Sequence, residues 1–287
     1  MIYVLVPAYN EAATVGLVLW KVRQVFTAFA REYQLLVVND GSTDGTDDVL
    51  APYARALPMT LITHRDRRGY ARSVEELLRL AVARSDRPRR DLAVVLQADF
   101  SDSPDDVPEL VRRIESGADL ALADYRRRRG LPRREALARR LLPALLRRPK
   151  GDALDRPLDW VCSLKAVRLV TLARAISERG SRDLLRADGC WAADAELLLE
   201  VARHARRVEV VAAQAPAAPR LRPSRSRPLR SAWAAWTTAR RRRAPAPRPH
   251  GAHPAAPPGG GRGPGRRGRR GGARSAAAPS PRQASSP

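Results

Sequence analysis

Through its first 125 residues the chain alternates short aliphatic runs with longer stretches whose apolar residues recur at helical spacing, and this alternation leaves few folds open. Ile2 to Val6 reads as a buried strand. From Glu11 onward, Val15, Val18, Leu19, Val22, Val25, Phe26 and Phe29 fall on one helical face. Further strands are expected at Leu35 to Val38, Leu61 to Thr63, Leu92 to Leu96 and Leu120 to Ala123, with helices over Asp47 to Ala56, Val74 to Ala83 and Pro104 to Glu115. Such alternation predicts parallel βαβ units: an α/β fold, with helices on both faces of a mostly parallel sheet. In sheets of this kind ligands sit beyond the carboxyl ends of the strands. Polar, turn-forming residues gather at those ends, in Pro7 to Glu11, Asn39 to Gly45 and Gln97 to Asp102. The same residue types make ordinary turns and caps, but Asp99 directly follows an apolar strand where no cap requires it.

The pattern changes after Tyr125. Residues 126–160 are irregular and basic, and Glu135 to Arg148 forms an amphipathic pattern interrupted by Pro143. Such a helix either lies on an anionic membrane surface or packs its leucines on the domain. Leu164 to Ala175 and Ala193 to Ala202 read as helices, and Val208 to Val211 as a last strand. From Ala212 onward the chain carries 17 arginines and no Asp, Glu or Lys, so much of the net charge of +23 resides there. That stretch is rich in Pro, Gly, Ala and Ser and cannot bury enough apolar surface to offset the entropy of ordering. The expected organisation is a folded domain over 1–211, a basic segment over 212–243 with a short helix at Leu229 to Arg243, and a disordered basic tail over 244–287. The tail can bind an anionic leaflet, act as an RGG-type nucleic-acid segment through GRGPGRRGRRGGAR, or be a dispensable extension. The leaflet is preferred over nucleic acid.

Several classes are excluded by what is missing. The start, MIYVLVPAYN, has neither the basic opening nor the long apolar stretch of a signal peptide, and no apolar run approaches the roughly 18–20 residues that span a bilayer. A cytoplasmic protein, peripheral at the inner face of the membrane, is expected. Cys162 and Cys190 show no CxxC or Cys/His spacing, which argues for reduced thiols and against a zinc site. There is no GxGxxG after the first strand, no GxxxxGK[ST] and no GxSxG. His64 and His204 are expected to be surface or structural residues.

Four segments carry a positive signal: VPAYNEAATVG (6–16), VVNDGSTDGT (37–46), RRGYARSVEELLRLA (67–81) and VVLQADFSDSPDDVPELVRRI (94–114). In order and spacing they resemble the family 2 glycosyltransferases of the GT-A fold, in particular the dolichol- or polyprenyl-phosphate mannosyl- and glucosyltransferases, over about residues 2–211. The resemblance implies a Rossmann-like GT-A sheet and a UDP- or GDP-linked sugar donor. It implies that Pro7, Tyr9 and Glu11 line the nucleotide pocket, that Asp40 bonds the base with Ser42 near it, and that Gln97, Ala98 and Asp99 meet the diphosphate sugar. The chemistry is sensible, since a carboxylate accepts the ring N–H of uracil or guanine and Tyr9 offers an apolar wall. The lesser alternative for Asp40 is an Asx turn over Gly41, and it could do both through different oxygens. The family's Asp-x-Asp motif holds Mg²⁺ or Mn²⁺, whose charge stabilises the leaving diphosphate. Here Gln97 replaces its first Asp, which leaves Asp99 as the metal ligand, helped by the Gln97 carbonyl and by Asp102.

An acceptor that is already an ionised phosphate needs cations and no general base. By the resemblance, Arg126, Arg134 and Lys165 are the acceptor-phosphate candidates, each alternatively a solvated charge. A hydroxyl acceptor would need a carboxylate to take its proton, and Asp194 and Glu196 are the pair available, each alternatively an acid favoured by a helix N-terminus. Ser224, Arg225 and Arg227 resemble a basic segment that closes over the donor diphosphate. The expected function is inverting, metal-assisted transfer of a hexose to a polyprenyl phosphate or related lipid-linked acceptor, with Asp99 central. The alternatives are transfer to a saccharide or small-molecule hydroxyl, and a catalytically silent nucleotide-sugar- or nucleic-acid-binding protein.

Overall fold

The computed structural model describes residues 1–125, 133–145, 159–187, 189–213 and 228–243. These residues belong to one compact unit, Met1–Pro245. Its frame is a seven-stranded sheet of β1 (Ile2–Ala8), β2 (Tyr33–Asn39), β3 (Met59–Thr63), β4 (Leu92–Val95), β5 (Leu120–Asp124), β6 (Lys165–Arg168) and β7 (Val208–Ala212), in the order β3-β2-β1-β4-β6-β5-β7. Only β6 runs antiparallel to its neighbours, β4 and β5. The aliphatic runs of β1 and β4 are buried along their whole length, as expected for strands covered on both faces.

The covering helices are α1 (Val15–Ala28), α2 (Thr46–Ala56), α3 (Tyr70–Arg84), α4 (Val107–Glu115), α5 (Arg133–Leu145), α6 (Leu169–Arg179), α7 (Cys190–Ala202) and α8 (Pro228–Arg243). On α1 the buried residues are the predicted Val15, Val18, Leu19, Val22, Val25 and Phe26. The helix starts at Val15, later than the pattern suggested, because the amides of Thr14 and Val15 both bond to the Glu11 carbonyl in a preceding turn. Within the 212–243 segment, α8 packs on α7 and α5 and buries Ala235 completely. Residues 244–287 lie outside the described residues.

One element differs in kind. Residues 164–175 were expected to be a single helix, but Lys165–Arg168 is a strand and α6 begins only at Leu169. The strand exists because β4 and β5 leave a gap whose backbone groups it satisfies on both sides, with Val95 opposite Lys165 and Leu122 opposite the same residue. Arg168 then fastens the next corner by donating to the carbonyls of Arg89, Ile114 and Ala118.

This topology fixes where a ligand can sit. From β1 the chain builds outward to β2 and β3, then crosses back to place β4 on the other side of β1, so the β1/β4 boundary is the switch point. The loops beginning at Tyr9 and at Leu96 leave the sheet there, side by side.

Candidate active site

The loops after β1 and β2 are sewn together by their polar residues. Asn10, at φ 53°, donates its backbone N–H to Ser42 Oγ at 2.8 Å, and its side-chain oxygen accepts the Thr43 N–H at 2.7 Å. The Glu11 N–H bonds to Thr46 Oγ1 at 2.9 Å. Gly41 takes φ 66°, and a Cβ there would lie 2.6 Å from the Arg67 nitrogen, so only glycine lets this turn rest on the loop between β3 and α3.

Asp40 acts in that same contact. Its buried carboxylate accepts the N–H groups of Arg68 (2.7 Å) and Gly69 (2.8 Å) and faces His64 Nδ1 at 2.9 Å. Asp40 thereby anchors the β3–α3 loop, and its carboxylate oxygens meet the Arg68 and Gly69 amides and not the turn over Gly41. His64 is structural, as expected: it is buried, with its other ring nitrogen 2.8 Å from Glu76. Pro7 is buried in β1, and the Glu11 carboxylate accepts the Thr14 hydroxyl at 2.9 Å. Tyr9 is half-buried, and the Arg67 guanidinium lies 4.1 Å over its ring. Arg67 opens the RRGYARSVEELLRLA segment, and nothing local in the sequence sets it apart from the other arginines. Its role follows from tertiary structure, which brings the loop after β3 across β2 to the loop after β1.

Across the switch point the loop after β4 divides into an outward and an inward half. Gln97 and Asp99 are half-buried, and Ala98 between them is buried. Asp99 Oδ1 accepts the Ser101 N–H at 2.9 Å, and Phe100 adopts a left-handed φ of 58° that sends the chain inward. Asp102 is 1% exposed and accepts from the Gln97 N–H, the Tyr125 hydroxyl (2.8 Å) and the Ser163 hydroxyl (2.6 Å). Burial pushes its carboxyl up, against these hydrogen bonds, and burial likewise raises Tyr125. Asp102 thus shapes the loop carrying Asp99 from within, and both its oxygens accept from protein donors.

Behind Asp102 lies a buried ion pair. Lys165 Nζ is 2.6 Å from Asp194 Oδ1, and the two side chains are 0% and 1% exposed. The Tyr70 hydroxyl also donates to Asp194, at 3.2 Å, while the buried Asp194 Oδ2 has no hydrogen-bond partner among the described residues. Burial pushes Asp194 up to about 6, even though Lys165 draws it down. Lys165 is therefore paired with a protein carboxylate and is not a solvated charge. Burial also pushes Cys190, at the start of α7, up to about 12 and raises Cys162, so both free thiols are held protonated. Glu196 accepts the N–H groups of Arg186 (2.7 Å) and Ala187 (2.8 Å), which fixes the loop before α7. That loop, with Arg68, Tyr70 and Arg72 at the start of α3, lines a cleft of about 370 Å³.

A second buried group supports the outer wall. Arg139 of α5 donates to Asp159 at 2.7 Å and to Glu135 at 3.2 Å and lies 5.0 Å over the Trp191 ring. Arg134 is exposed on the same helix, whereas Arg126, Ser224, Arg225 and Arg227 lie outside the described residues.

Among the described residues no three His, Cys, Asp or Glu side chains converge at metal-ligand spacing. The site offers the Asp99 carboxylate and the Gln97 amide oxygen. Hard divalent cations such as Mg²⁺ are commonly held by one or two carboxylates together with substrate phosphates. This donor set fits an ion that arrives with a diphosphate, and does not fit a permanently resident one.

Comparison with known proteins agrees with the fold. Residues 3–168 match the family model described as Glycosyl transferase family 2. The chain is 27% identical over 193 residues to an undecaprenyl-phosphate 4-deoxy-4-formamido-L-arabinose transferase of Pseudomonas paraeruginosa, covering 66% of this chain and 54% of that protein. It is 26% identical over 165 residues to the protein of the same name from Photorhabdus laumondii, covering 58% and 48%. It thus spans about half the length of the curated relatives it matches. In structure it is similar to glucosyl-3-phosphoglycerate synthase from Mycobacterium tuberculosis, solved with Mn²⁺, UDP and glucosyl-3-phosphoglycerate, at a TM-score of 0.57 and 22% identity over 84% of this chain and 79% of that one. Mannosyl-3-phosphoglycerate synthase from Rubrobacter xylanophilus gives a TM-score of 0.56 at 18% identity, over 84% and 73%. At these identities the two structures share the fold.

Proposed function

Because this chain belongs to glycosyl transferase family 2 and has the GT-A fold, we propose that it transfers a hexose, with inversion, from a UDP- or GDP-linked sugar to a polyprenyl phosphate or related lipid-linked acceptor. The observation that carries the proposal is the meeting, at the β1/β4 switch point, of the Tyr9–Glu11 loop with the half-buried Gln97 and Asp99. Support for the acceptor comes from the curated relatives, which are named for transfer involving undecaprenyl phosphate.

In this reading the loops after β1 and β2 hold the nucleotide, and Asp99 with Gln97 would hold Mg²⁺ or Mn²⁺ against the diphosphate. The ion would supply charge to balance the negative charge that grows on the leaving diphosphate. Asp102 sets the position of Asp99 through the loop, and Lys165 with Asp194 makes a charged but neutralised floor. Attack by an ionised phosphate needs no proton removed, which suits a site whose deep carboxylate is already paired. Among the described residues no helix is long and apolar enough to cross a membrane.

The test is turnover of UDP-glucose and GDP-mannose, each with and without Mn²⁺ and polyprenyl phosphate. Metal-dependent transfer to the lipid, lost in Asp99→Ala with the fold intact, is expected; full activity in that variant would remove Asp99 from the mechanism. A second reading, transfer to a hydroxyl, draws on the orphaned Oδ2 of Asp194 and its elevation to about 6. It requires turnover with a sugar or small-molecule acceptor that rises through about that pH and is lost in Asp194→Asn. Nucleotide binding without turnover on any acceptor would favour the silent binding protein.

A further inference from the structure

The outward faces of α5 and α8 carry a feature that the donor site does not use. The two helices pack against each other in one layer. On α5, Leu137 and Leu141 stand one turn apart and are 52% and 53% exposed; on α8, Trp233 is 65% exposed. Large apolar side chains this exposed are few among the described residues, and here three of them fall on one helix pair.

Among the described residues of these two helices the exposed charges have one sign. Arg133, Arg134 and Arg140 of α5 and Arg240 of α8 are exposed. The single acid of α5, Glu135, is turned inward and buried against Arg139, and α8 carries five arginines and no acid. The exposed apolar pair on α1, Leu17 and Trp20, has a different setting, because Lys21 beside it is already paired with Asp105. Leucines flanked by arginines, with a tryptophan able to sit at headgroup depth, suit an interfacial surface: the apolar groups enter the acyl boundary and the guanidinium groups meet lipid phosphates. Charge complementarity therefore selects an anionic bilayer as the occupant.

We infer that the α5–α8 layer is the face by which this protein docks on an anionic lipid bilayer, with Leu137, Leu141 and Trp233 inserting and Arg140 and Arg240 pairing with headgroups. This rests on the lipid-acceptor reading for its purpose, since a face held on the bilayer brings the enzyme to an acceptor whose tail never leaves it. The observations themselves are independent of that reading.

The experiment uses the full chain, with its basic tail unchanged, and vesicles of phosphatidylcholine with or without about one-third phosphatidylglycerol. Sedimentation measures partitioning, and quenching by brominated acyl chains reports tryptophan insertion. The neutral variant Leu137→Gln/Leu141→Gln/Trp233→Gln keeps every charge, and Arg140→Gln/Arg240→Gln keeps every apolar group. The wild type is expected on the anionic vesicles only, with quenching. Partition is expected to fall about tenfold or more in the apolar variant, with quenching abolished, and by roughly tenfold in the arginine variant. Wild-type partitioning by both variants would overturn the inference and assign vesicle binding to the tail. Loss of a wild-type dimer in the apolar variant, without change in vesicle binding, would overturn it in favour of a second copy as occupant. Turnover with a short-chain acceptor phosphate in detergent is measured alongside. It should be unchanged in the apolar variant, and its absence in the wild type would count against the proposed reaction while leaving the docking result to stand alone.

Discussion

Replacing Lys165 by methionine isolates the charge balance beneath the proposed site. Methionine fills nearly the same volume, so the packing loss is small, while the ammonium 2.6 Å from Asp194 Oδ1 is gone. What remains is a carboxylate 1% exposed, with one hydrogen bond from Tyr70 and an oxygen that has no partner among the described residues. Removing one member of such a pair costs about 3–5 kcal/mol where the other must stay charged. The sign with pH follows from proton uptake. Asp194 is raised from 3.8 to about 6 in the native protein, so the folded state binds more protons than the unfolded state between those values, and stability falls with pH in that window and levels off above it. Without Lys165 the folded carboxyl is held higher still, and the fall continues upward at about 1.4 kcal/mol per pH unit. The difference between wild type and Lys165→Met should therefore be small near pH 5 and should widen between pH 6 and 8. Urea unfolding at three pH values, with Asp194→Asn/Lys165→Met as the compensated reference, measures it. A cost under about 1 kcal/mol at pH 8, or one independent of pH, would refute the claim that this pair is buried and coupled.

Two further substitutions separate shape from chemistry. Gly41→Ala should cost at least about 1–2 kcal/mol for its left-handed backbone alone, and more because the new Cβ meets the backbone at Arg67 and Asp66. Thermal unfolding and nucleotide titration should show lower stability and weaker binding together, and a stable variant with intact binding would show that the β2 and β3 loops can part freely. Asp102→Asn should lose about 1.5–3 kcal/mol, since the amide cannot accept from the Gln97 N–H, Tyr125 and Ser163 together as the carboxylate does. Its apparent metal affinity should be unchanged, and a raised metal requirement at unchanged stability would return Asp102 to the metal.

Much of this architecture was legible along the chain. The strands β1, β2, β4 and β5 and the helix α1 announce themselves because each buries a contiguous run or a repeating face, and both are local properties; β3 is only partly buried and shows chiefly as a short aliphatic run. The polar loops at Pro7 to Glu11 and Gln97 to Asp102 were recognisable for the same reason: they break an apolar run at its carboxyl end. Tertiary structure decided the roles of single side chains. Asp40 and Asp102 have the residue types and positions of ligand-binding acids, yet each is satisfied by donors that arrive from distant segments, Arg68 and Gly69 for one, Tyr125 and Ser163 for the other. Lys165 shows the limit most clearly. Its neighbours along the chain read as a helix, but two strands far apart in sequence offered their unpaired backbone groups, and the strand that filled the gap turned its ammonium onto Asp194. Periodicity records which face of an element is apolar; which charge a buried side chain meets depends on segments brought together only when the sheet closes, where the cost of an unpaired charge selects the partner.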